Sequence, residues 1–373
     1  MTMTMESDLT AWIDSPVDHA VTNRMTATGL IPAHNEEAGI ADTVNSMLRQ
    51  TVPFDEIIVV ADNCSDRTVE IAKALGVTVL ETPAGVGGSK AKAQNYGLQS
   101  VKTDLVLPVD ADTLLADNYL EVIVPVMHDP TVAIAAGCVQ SRHARSAVEK
   151  GRTVEYLFGF HWIRPIQAAC NAPIVCSGCC SVFRTQKIIE DFGGFPMETI
   201  VEDFDATHRW QIAGYKAKYV PKAEAYAADP ENIKYLNIQM ERWMAGFYQN
   251  VRMHFFKEVR HKPMLALWMG LAMLEIVLIP LWYAAPVIGV AAFGWPLLTV
   301  LFWYLIFETM VTGLPVAYGM YKRRLGLRTL LYIPFVWVNR FVNQYQALKQ
   351  FGIEMVAVPL GLATGLSNYK MGR

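Results

Sequence analysis

The chain has 373 residues, a formal net charge of −3 and a hydrophobic content of 52%. That length exceeds what one compact core usually holds, so two modules are expected. The near-balanced charge provides no global basic field, which excludes a nucleic-acid partner from the expectation.

A mean hydropathy of +0.22 is high for a soluble protein, and the excess is concentrated. Residues 1–262 alternate charged and apolar stretches, whereas from Pro263 to Tyr321 the only charged side chains are Glu275 and Glu308. The first segment, 1–27, is polar and acidic, with no basic start and no apolar core, so no cleaved leader is expected. Four of the six cysteines fall in CNAPIVCSGCC (Cys170, Cys176, Cys179, Cys180). No second spaced pair follows at a zinc-site interval, so they read as small, partly buried thiols.

In chain order, Leu30-Ile31-Pro32 opens an apolar run that stops at Ala33-His34-Asn35-Glu36-Glu37, and a helical stretch to Gln50 follows. Glu56–Val60 is a β-branched run ending at Asp62. A helix from Thr68 to Leu75, a strand from Val77 to Leu80, and the run Leu105–Val109 into Asp110 complete the pattern. Alternation of this kind predicts a parallel α/β sheet. Ligands of such sheets sit at the carboxyl ends of strands. Asn35, Asp62 and Asp110 each fall just past one.

Asp110-Ala111-Asp112 places two carboxylates on a turn. Hard cations such as Mg²⁺ or Mn²⁺ take oxygen ligands and usually few protein carboxylates plus phosphates. An Asp-rich turn capping its own backbone is the plainer reading. Glu202-Asp203 in IVEDFD is either a functional carboxylate pair or an acidic helix start favoured by the macrodipole. Gln239, Arg242 and Trp243 share one helical face. Arg242 has the planar fork suited to a diphosphate and Trp243 a face for a sugar. A helix resting on a membrane surface would also carry such a tryptophan.

Residues 264–284 and 296–319 are each long enough to span a hydrocarbon core of roughly 30 Å. Their flanks carry Lys257, Arg260 and Lys262 before, and Lys322, Arg323, Arg324 and Arg328 after, whereas the connection has no Lys or Arg. Both flanks are therefore expected on the cytoplasmic side, with a hairpin between. A third apolar segment, 329–348, is interrupted by Asn339-Arg340 and reads as a surface or re-entrant helix, with a third span as the alternative. Glu275, in mid-span, is expected to face a partner, a cavity or the acceptor.

The order IPAHNEE, VVADNCSDRT, GSKAKAQNYGL, DAD, SGCCSVFR with GGFP, IVEDFD and QMERW resembles the membrane-integrated family-2 inverting glycosyltransferases, relatives of cellulose, hyaluronan and poly-N-acetylglucosamine synthases. The resemblance runs from about Leu30 to Asn250. It departs at Ala61, Cys64 and the Cys179-Cys180 pair. It implies a GT-A fold over 28–255 and a membrane module over 256–373. By resemblance, Pro32, Ala33, Asn35, Glu36, Asp62, Lys90, Asp110, Gln239, Arg242 and Trp243 meet a UDP-sugar, Asp62 at the base and Lys90 near the phosphates. Asp110 and Asp112 hold Mg²⁺ or Mn²⁺, and Gly178, Cys179, Glu202 and Trp243 lie toward the acceptor. Asp203 is the expected base of a single displacement.

The resulting expectation is a plasma-membrane transferase with its catalytic domain in the cytoplasm. It would pass a sugar to a polyprenyl phosphate or a short glycan or glycolipid. A processive synthase walled by a homo-oligomer is the alternative, and a non-catalytic nucleotide-binding scaffold is the alternative of another class.

Overall fold

The computed structural model describes residues 24–364, so most of the polar N-terminal segment lies outside the described residues. Strands β1 (Ala27–Ala33), β2 (Glu56–Ala61), β3 (Thr78–Glu81) and β4 (Leu105–Pro108) alternate with helices α1 (Ile40–Leu48), α2 (Thr68–Ala74) and α3 (Lys90–Leu98). There follow β5 (Leu114–Leu115), α4 (Tyr119–Ile123), β6 (Val132–Ser141), α5 (Ala147–Phe158), α6 (Arg164–Ala169), β7 (Ser181–Arg184), α7 (Thr185–Phe192), α8 (Glu202–Ile212) and β8 (Lys216–Ala227).

All eight strands form one sheet in the order β3-β2-β1-β4-β7-β6-β8-β5. β1 pairs in parallel with β2 and β4, and β2 with β3. β7 inserts antiparallel between β4 and β6, so the sheet is mixed beyond its first four strands. Leu30, Ile31, Ile58, Val59, Val106 and Leu107 are wholly buried. That is the near-continuous apolar run expected of parallel strands covered on both faces. The parallel register brings the carboxyl ends of β1, β2 and β4 to one edge. The Asp62 N–H donates to Ala33 O at 2.7 Å and the Val109 N–H to Leu30 O at 2.9 Å.

Beyond the sheet, α9 (Ile233–His261) and α10 (Pro263–Phe293) are 29 and 31 residues long. α11 (Leu297–Glu308) passes through a π-helical turn, Thr309–Gly313, into α12 (Leu314–Lys322), and α13 (Val336–Gln350) follows a 3₁₀ stretch, Leu327–Phe335. The expected domain junction at 255/256 falls inside α9. The first apolar helix outruns its expected end at residue 284 and continues to Phe293, because Ala-Ala-Pro-Val-Ile-Gly-Val is apolar enough to remain helical around Pro286. Gly294 ends it in the left-handed conformation (φ 65°), which glycine adopts without steric cost. Pro263–Phe293 and Leu297–Lys322 are long and apolar enough to cross a membrane. The 329–348 segment does not form such a helix.

Candidate active site

The site is assembled at the strand ends. Asn35, just past β1, adopts φ 55°, a conformation asparagine tolerates. It turns its Oδ1 to accept the Ser65 N–H at 2.7 Å. Past β2, Asp62 is engaged on both oxygens, by Thr82 Oγ1 at 2.8 Å and by the Gly88 N–H at 2.8 Å. The 82–88 loop lies so close that a Cβ on Gly87 would stand 1.6 Å from Asp62 Oδ1. Only glycine fits there, and Asp62 is 4% exposed. The carboxylate thus fastens the loop while also lining the cavity.

Ser89 caps α3 by accepting the Lys92 N–H, and α3 presents Lys90 on its first turn. The Lys90 ammonium lies 2.6 Å from Asp110 Oδ1 and 3.2 Å from Glu202 Oε1. It therefore joins the β4 end to the start of α8. Burial pulls the Lys90 pKa down, but the charges of Asp110, Glu202 and Asp203 outweigh it and hold it well above the ordinary lysine range. Asp203, second residue of α8, accepts the Gly178 N–H on Oδ2 at 2.6 Å and the Phe204 N–H on Oδ1 at 2.8 Å. A side chain at Gly178 would press on Asp203, with its Cβ 3.0 Å from the Asp203 Cβ. Burial and then the neighbouring Glu202 raise the Asp203 pKa, with Lys90 and the two N–H donors pulling back.

Among the described residues no group of three or more His, Cys, Asp or Glu is placed to hold a metal by itself. Asp110 and Asp112 nevertheless supply hard oxygen donors at a strand end, and Lys90 already holds positive charge against Asp110 there. That donor set fits a divalent cation whose shell is completed by phosphates.

All the residues expected at the donor, metal, base and acceptor positions line one cavity of about 1270 Å³, and residues of α10, α13 and the turn between α11 and α12 line it too. With this geometry, residues 27–246 match the family model described as glycosyltransferase-like family 2. The chain belongs to that family.

This family-2 glycosyltransferase is 28% identical over 238 residues to a poly-beta-1,6-N-acetyl-D-glucosamine synthase of Staphylococcus aureus (strain COL). The match covers 63% of this chain and 58% of that relative. A synthase of the same description from Staphylococcus epidermidis is 27% identical over 240 residues. The chain thus spans less than two thirds of the length of these relatives. In fold it is similar to a mannosyltransferase from Pyrobaculum calidifontis, solved in complex with GDP-Man and Mn²⁺. The TM-score is 0.58 at 21% identity, over 92% of this chain and 93% of that one. The α/β sheet domain is GT-A-like.

Other residues around the family-2 site escape sequence reasoning. Arg152 on α5 is 3% exposed. It donates to Glu155 at 2.9 Å and to Gln239 Oε1 at 3.3 Å, lies 3.5 Å from Asp229, and places its guanidinium 4.9 Å from the centre of the Trp243 ring. It therefore sets two of the three aligned α9 residues against the end of β8. A lone arginine in an amphipathic stretch gives no local signal of this. Asp205 is held by Arg209 at 2.7 Å and His254 at 2.8 Å, a structural anchor between α8 and α9. His208 reinforces it with Glu258 at 2.5 Å. The six cysteines are free thiols, of which Cys179 lines the cavity.

Proposed function

We propose that the chain is a membrane-bound inverting transferase that moves a sugar from a UDP-sugar to a membrane-held acceptor. The observation that carries this reading is the continuity of one cavity from the carboxylate and lysine cluster at the strand ends to the apolar C-terminal helices. The acceptor hydroxyl oxygen attacks the anomeric carbon as the bond to the diphosphate breaks. Asp203 takes the hydroxyl proton, and the electron pair leaves on the diphosphate. Lys90 and Arg242 meet the diphosphate charge. Asp110 and Asp112 would hold the divalent metal, which offsets charge on the departing diphosphate when bound.

Incubating membranes carrying the protein with a panel of labelled UDP- and GDP-sugars tests this reading. Release of UDP from one donor is expected, and release from none would sink it. A second reading, a processive synthase acting as an oligomer, draws on the named activity of the staphylococcal relatives. Sorting product into lipid-extractable and polymeric fractions separates the two.

Asp112→Asn is expected to weaken the Mn²⁺ dependence of UDP binding about tenfold, because a hard anionic ligand is lost. Titrating Mn²⁺ against UDP affinity by calorimetry reads it directly, and an unchanged Mn²⁺ dependence would remove Asp112 from the metal shell.

The membrane placement is supported by how α10 and α11 meet their surroundings. Leu274, Leu278, Leu281, Leu298, Phe302 and Trp303 are all exposed, whereas a soluble protein's core helix buries such side chains. Each Lys or Arg at a helix centre costs about 2.5–3.5 kcal/mol on insertion scales, so Lys322–Arg324 marks an end. Cysteines placed at Gly294 and Gly326, with the exposed Cys170 replaced, are expected to react with an impermeant reagent from opposite faces of sealed vesicles. Reaction of both from one face would rule out the hairpin.

A further inference from the structure

The end of the cavity formed by α10, α13 and the π turn before α12 has its own polar chemistry. Glu275, Thr312, Arg340, Asn343 and Gln344 line it. Arg340 is the cation at this end, and its charge is already met. One arm of its guanidinium is paired with Glu308, and the other donates to Thr312 Oγ1 at 2.7 Å. The Thr312 hydroxyl in turn donates to Glu308 at 3.0 Å. The Thr309–Gly313 turn that brings Glu308 and Thr312 together is π-helical, a distortion frequent at functional sites.

The groups left open are acceptors. Asn343 spends its amide N–H on Glu155 Oε1 at 3.0 Å, which turns its Oδ1 the other way, buried and with no hydrogen bond. Glu275 has no hydrogen-bond partner among the described residues, and the nearby Arg340 charge acts on it. A ligand seated here has to bring donors. A sugar or other hydroxyl-bearing headgroup does so, whereas a phosphate brings acceptors and a negative charge.

We propose that this end of the cavity is a subsite for a neutral, hydroxyl-bearing headgroup carried on a lipid, and that it discriminates against a lipid phosphate. The inference rests on the transferase reading above and narrows its acceptor. The lipid origin follows from the surroundings: Ile276 and Ile279 line the cavity beside Glu275, and the outer side chains of α10 at Leu274 and Leu278 are exposed.

The full chain in a sugar-free detergent, saturated with UDP, tests the proposal by photolabelling with a diazirine-tagged octyl β-D-glucopyranoside. Label is expected in the peptides carrying Glu275 and Asn343. Untagged octyl glucoside is expected to suppress it at concentrations at least about tenfold lower than farnesyl phosphate. Glu308→Gln frees the Arg340 charge and is expected to make farnesyl phosphate a better competitor, by about tenfold. Equal or better competition by farnesyl phosphate in the unaltered chain overturns the proposal, as does label confined to other peptides. A folded Glu308→Gln protein without the gain overturns it too. Competition by methyl β-D-glucopyranoside equal to that of octyl glucoside overturns the lipid assignment. The unaltered chain decides the matter even if the variant does not fold. Labelling as expected with no nucleotide sugar cleaved supports the subsite while sinking the transferase reading. Cleavage with reversed competition sinks the subsite alone.

Discussion

Asp203→Asn lowers turnover by roughly 10²- to 10⁴-fold, the range associated with removing a positioned base, while UDP affinity stays within about twofold. In the proposed mechanism the base acts on the acceptor, whereas the nucleotide meets Lys90 and the strand ends. Purified protein, UDP calorimetry and initial rates at saturating substrates separate the two quantities. Retention of most of the turnover would place the base elsewhere. The pH profile adds a second reading. Burial and Glu202 raise the Asp203 pKa, and the base works only when ionised. Turnover therefore falls as pH drops through that raised value, giving an acid limb above the ordinary aspartate range near about pH 4. An acid limb at the ordinary value would mean that a more exposed carboxylate controls the rate.

Arg152→Met destabilises the fold by about 3–5 kcal/mol, because it leaves the buried Asp229 carboxylate without its cation. Arg152 also loses Glu155, Gln239 and the Trp243 face in one step. The apparent unfolding temperature of the detergent-solubilised protein should drop accordingly. Adding Asp229→Asn removes the orphaned charge, so the double variant should recover more than half of the loss. Equal stability of the single and double variants would show that the packing of Arg152, and not its charge, matters to Asp229.

The sheet was legible because its cues are local. Strands β1, β2 and β4 are continuous apolar runs, and each stops at a polar residue where the chain must turn toward solvent. The residues brought to the cavity by the strand ends, Asn35, Asp62 and Asp110, could be placed on that ground. Asp203 needed more, since an acidic helix start looks the same whether or not it faces a substrate; only the meeting of α8 with Lys90 of α3 sets it beside Asp110. Asp62 shows the limit of position alone. It stands where a strand-end ligand group should, yet its oxygens bind the 82–88 loop, and no local pattern announces a contact across that spacing. Arg152 and Asp229 were hidden for the same reason, being 77 residues apart and joined only by folding. The continuation of α10 past residue 284 to Phe293 has no local signal, since the helix runs through Pro280 and Pro286, which an apolar helix tolerates when its neighbours remain helix formers.

Lys262 alone separates the 29 residues of α9 from the 31 of α10. At about 1.5 Å per residue the two helices form arms of roughly 44 and 46 Å. The Lys262 N–H donates to Glu258 O at 2.7 Å, and the Glu258 side chain grips His208 of α8. The pivot between the arms is thus wired, within one helical turn, to the helix that carries Asp203. On the proposed membrane reading, a helix of α10's length would tilt to suit the hydrocarbon thickness around it, and that tilt would act on a junction tied through Glu258 and His208 to α8. Under the proposed roles, the surrounding lipid would then bear on the geometry around Asp203.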